Sequence, residues 1–160
     1  MKHTKNILKS LLITVMALSL LAVSCSKDEG GSKPTSPTPT KLEIAVEAVK
    51  AVAIGAEEAA TQVKTDGADA TEPTAILVEV VATAAEKAKA AVEEAASTNG
   101  KITDATAKQE IKAAAEKITK AAQSITTAAN SIKDTNVKNK ITAAAKRITE
   151  AAQSITTAVS

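Results

Sequence analysis

Isoleucine returns at a fixed seven-residue step in the last third of the chain, at positions 111, 118, 125 and 132 and again at 141, 148 and 155. Three and four places after Ile111, Ile118 and Ile125 stand the pairs Ala114/Ala115, Ala121/Ala122 and Ala128/Ala129. Apolar residues spaced three and four apart lie on one side of an α-helix, and a sustained seven-residue step makes that side a seam for a partner helix. The second set is a copy of the first. Residues 141–160 match residues 111–130 at 14 of 20 positions, shifted by 30. Lys133–Asn136 breaks the two apart, with Asp134 or Thr135 available to cap the second. This predicts two antiparallel helices with a narrow Ile–Ala seam, in which alanine lets the partner backbone come close.

Two more long helices precede these. Over about 41–64, Leu42, Ala45, Val46, Val49, Val52, Ala53, Ala56, Ala59, Ala60 and Val63 recur at helical spacing. Thr40 with Glu43 forms a capping box at its start, and Asp66-Gly67-Ala68-Asp69 ends it. The next helix opens near Glu72-Pro73 behind Thr71, with proline in the first turn, and runs to about Ala96 before Ser97-Thr98-Asn99-Gly100. The expected fold is all-α: an antiparallel bundle of four long Ala-rich helices, two hairpins in up-down-up-down order, about 35–45 Å long at 1.5 Å per residue.

The first 40 residues follow other rules. Lys2, Lys5 and Lys9 precede Leu11–Val23, which only Thr14 and Ser19 interrupt. Thirteen residues are too few to span a bilayer, which takes about 20, but they fit the apolar centre of an export signal. The chain's one cysteine comes directly afterwards, in Leu21-Ala22-Val23-Ser24-Cys25. This run resembles a relaxed bacterial lipobox. The resemblance implies cleavage before Cys25, a diacylglyceryl group on its sulfur and an outer-membrane anchor; two or more chains hold a protein where one does not. The alternative is a plain secretory signal followed by a free thiol. Ser26–Thr40 has Gly30, Gly31, Pro34, Pro37 and Pro39 among Ser, Thr and Lys, and no hydrophobic residue. Its composition predicts a disordered tether reaching about 50 Å when extended. The expected organisation is therefore a signal over 1–24, an acylated cysteine and tether over 25–40, and a helical domain over 41–160.

Composition narrows the chemistry. There is no aromatic residue, and His3 is the only histidine. Without residues 1–24 the chain has neither histidine nor a thiol beyond Cys25. It then offers no His-based triad, thiolate nucleophile, zinc cluster or base-stacking platform, so no enzyme, metal or cofactor is expected. Losing three of 20 basic groups leaves 17 against 18 acids, so the body is not basic and nucleic acid is not an expected partner. Glu57-Glu58 and Glu93-Glu94 are sequence neighbours and point about 100° apart on a helix, which does not make an acid/base pair. Charge does divide by hairpin: residues 41–98 carry 5 basic and 11 acidic groups, residues 101–160 carry 10 and 5. One consequence is that the hairpins attract each other, with pairs such as Glu116–Lys120 adding local support. The sharper reading is that Lys101, Lys108, Lys112, Lys117, Lys120, Lys138, Lys140, Lys146 and Arg147 include a patch for an acidic ligand such as a glycosaminoglycan. Lys138, Lys140, Lys146 and Arg147 are its nearest-spaced members.

The relaxed lipobox, the polar tether, the Ala/Lys/Glu-rich helices and the run Gly100-Lys-Ile-Thr-Asp-Ala-Thr-Ala-Lys108 together resemble the small helical surface lipoproteins of Borrelia spirochaetes, the OspC/Vsp-like group. That resemblance implies a lipid-anchored, surface-exposed helical antigen that contacts host or vector molecules. Lys27-Asp28-Glu29 also resembles the charged export tag of Bacteroidetes surface lipoproteins. The alternative function is structural: a self-associating homo-oligomer or periplasmic envelope spacer built on the heptad seam.

Overall fold

The computed structural model describes residues 39–98 and 102–160. The expected export signal, Cys25 and the expected tether up to residue 38 lie outside the described residues. Four helices make up the body: α1 Lys41–Asp66, α2 Glu72–Thr98, α3 Ala105–Ala129 and α4 Thr135–Ala158. A short 3₁₀ turn, Gly67–Asp69, joins α1 to α2, and no strand occurs among the described residues. None of these helices is long and apolar enough to cross a membrane.

The helix boundaries follow from local chemistry. At α1 the Thr40 hydroxyl accepts from the Glu43 amide while Glu43 Oε2 accepts from the Thr40 amide at 2.7 Å, the expected reciprocal cap. Gly67 stops α1 with φ +52° and ψ −128°, a backbone conformation that residues with a Cβ rarely adopt. The first amides of α2 turn to the Thr71 carbonyl, which accepts from Thr74 and Ala75. Aspartate caps both later helices: Asp104 accepts from Ala107 at 2.7 Å, and Asp134 accepts from Asn136 and Val137. α2 runs to Thr98, two residues beyond the sequence expectation, within the usual fraying of helix ends.

The seven-residue seams are the core. Ile111, Ile118, Ile125, Ile141, Ile148 and Ile155 are wholly enclosed, and the alanine pairs three and four places after them are buried, except Ala128, which is half-buried. The first hairpin fills the facing layers with Ala45, Val49, Val52, Ala56, Ala59 and Val63 from α1, and with Val78, Val81, Ala85, Ala88 and Val92 from α2. Leu42 packs at the edge, half-buried. With no aromatic ring to accommodate, valine and isoleucine face alanine across short gaps, which brings the helices close.

The duplication reaches further than the 20-residue match suggests. Ile102 and Ile132 are both buried, and Asp104 and Asp134 are both N-caps, each pair again 30 residues apart. Lys108 donates to the Ser160 carbonyl, and Lys138 donates to the Asn130 carbonyl, the same bond in each copy. Helices α3 and α4 thus form a pseudo-twofold hairpin in which each lysine covers the C-terminal end of the other helix.

Chain direction alternates up-down-up-down as expected, and each hairpin is antiparallel. Between hairpins the arrangement is different from a simple ring of antiparallel neighbours. α1 packs on α3 and α2 packs on α4, so both inter-hairpin contacts are parallel, while α2 and α3 lie on a diagonal. Both hairpin turns therefore sit at one end of the bundle, where the Lys133 amide donates to the Ala68 carbonyl at 3.2 Å. Thr40, the cap at the start of α1, is at the opposite end.

Candidate functional site

The end distal to Thr40 holds an open groove of about 640 Å³ between the N-termini of α2 and α4. It is lined by Ala70, Thr71 and Glu72 on one side and by Asp134, Asn136, Val137, Asn139 and Lys140 on the other. Both walls are the starts of helices, where Thr71, Glu72, Asp134, Asn136, Asn139 and Lys140 bring polar side chains together, and Asp134 already accepts from the Asn136 and Val137 amides. Asp66 braces it from below, accepting from the buried Thr74 hydroxyl and from Gln62 Nε2 at 2.8 Å. No cluster of three His, Cys, Asp or Glu with metal-holding geometry occurs among the described residues.

The four cations singled out as an acidic-ligand patch do not share one face. Lys140 and Arg147, seven residues apart, point along α4 toward α2 and bind its acids. Lys140 pairs with Glu72. Arg147 makes a two-pronged contact with Glu86, Nε to Oε1 and Nη2 to Oε2, both at 2.8 Å. Lys146 pairs within its own helix with Glu150 at 3.8 Å, and Lys138 reaches the Asn130 carbonyl at 3.5 Å. Cys25, the expected lipidation residue, lies outside the described residues.

These contacts perturb the groups involved. The hydrogen bond from Arg147 holds the Glu86 carboxyl below its ordinary value, against a smaller opposing effect of burial. The same bond raises Arg147, and the hydrogen bond to Glu72 raises Lys140. A third parallel contact completes the set across the hairpins: Lys50 on α1 meets Glu110 on α3 at 3.0 Å. At the turns, Lys133 meets Asp69 at 3.4 Å. The attraction between an acidic and a basic hairpin is thus realised in specific pairs. Along the helices the i,i+4 pairs are Lys89–Glu93 and Lys146–Glu150, and Glu116–Lys120 is not among the ion pairs.

Sequence reasoning identified the cations without their partners, because which helix lies beside α4 is decided by the inter-hairpin arrangement. The signal that could have found them is the duplication itself. Position 110 is glutamate where its copy, 140, is lysine, a sign reversal at equivalent places facing Lys50 and Glu72.

The chain matches no protein-family model, no curated protein and no solved structure.

Proposed function

We propose that this chain is a non-enzymatic bacterial lipoprotein, anchored in the outer membrane through Cys25, whose helical bundle stands at the cell surface and meets host or vector molecules. The observation that carries the reading is the order of parts. An apolar run too short to span a bilayer precedes the only cysteine. Fifteen residues without a hydrophobe follow, and a capped helix begins at Lys41. A tether is useful to a domain that works away from its anchor. The bundle suits that task, since its tip, with the two turns and the groove between α2 and α4, lies a helix length from Thr40, about 39 Å at 1.5 Å per residue.

Acidic host ligands such as a glycosaminoglycan are the partner class that the basic second hairpin favours. Lys138 and Lys146 are the patch members to test first, because Lys140 and Arg147 already serve α2. Replacing Cys25 by Ser should abolish labelling by palmitate and release the protein from membranes. Protease added to intact cells should remove the body; a body that survives on intact cells and is cut only after lysis places it in the periplasm and ends the surface reading. A chain that stays membrane-bound and unlabelled with Cys25 intact ends the lipid reading.

A further inference from the structure

We draw no further inference here: the strongest candidate, the groove between α1 and α3 lined by Ala53, Ile54, Ala113 and Ala114, carries nothing, because Lys50 and Glu110 already pair across it and nothing in the structure shows what covers it.

Discussion

Ile118 and Ile148 are wholly enclosed in a core of isoleucine, valine and alanine, so removing either side chain leaves a hole that small neighbours cannot close. Ile118→Ala and Ile148→Ala should each cost about 2–5 kcal/mol, the range for large-to-small changes in a rigid core. Ile54→Ala should stay within about 0.5 kcal/mol, since that side chain is half in water. Urea denaturation of the three variants checks the contrast. Gly67 is the other residue whose identity is forced. A Cβ there meets nothing within 4 Å, so the obstacle is the backbone alone. Gly67→Ala should destabilise by about 1–3 kcal/mol, and Gly67→Asn should not rescue, because asparagine tolerates the left-handed helical region and not ψ near −128°. At this scale the sequence was legible wherever a residue obeyed a period: every isoleucine of the seven-residue step is buried. Ile44, Ile54 and Ile76 were not legible. A helix with apolar residues on both sides does not announce which side meets the core.

Among elements, the question is how two nearly identical helices choose different neighbours. α3 and α4 carry the same seam, so burial alone does not tell α1 which of them to pack against. The difference lies at the flank, where Glu110 meets Lys50 and Lys140 meets Glu72. Exchanging the pair, Glu110→Lys with Lys140→Glu, places like charges at both contacts and should lower the melting temperature. Adding Lys50→Glu and Glu72→Lys should restore it. Four melting curves form the cycle, and an exchange without effect would show that charge does not select the pairing. The elements themselves, their caps and the duplication could be read from sequence because each is local: Thr40 with Glu43, the Asp66–Asp69 break, the 30-residue shift. The parallel pairing of hairpins could not, since it is a relation between segments that no local pattern encodes.

For the molecule as a whole, charge adds orientation to a stability that burial supplies. The clearest pH signature comes from Glu86. Its carboxyl is held below the ordinary value, so its contribution is complete above the unfolded carboxylate range, about pH 4.3, and is lost as pH falls through the lower folded value. Arg147 and Lys140 are raised from values already high, so theirs persist until strongly alkaline pH. Both side chains of the Arg147–Glu86 pair are about 40–50% exposed, and solvent screening limits it to about 1 kcal/mol or less. Melting curves between pH 3 and 7 should therefore show a shallow acid decline that Glu86→Gln flattens.

A sharper test of how burial and charge divide the work separates the hairpins. Residues 102–160 carry the whole Ile–Ala seam but lose the α1 and α2 layers that cover it. An isolated hairpin of this sequence has an apolar stripe open to water and a surplus of positive charge. Its seam is self-complementary because α3 and α4 are copies, so two such hairpins can rebuild a four-helix core. Helicity should then rise with peptide concentration, as for any chain that folds by associating. Salt should act with opposite signs on the two forms. It screens the repulsion between like hairpins and promotes their pairing, whereas in the intact chain it screens attraction between an acidic and a basic hairpin and lowers the melting temperature slightly. Circular dichroism of both, with and without added sodium chloride, reads the sign directly. If salt weakened both alike, the hairpin's self-association would depend on ion pairs and not on the isoleucine seam.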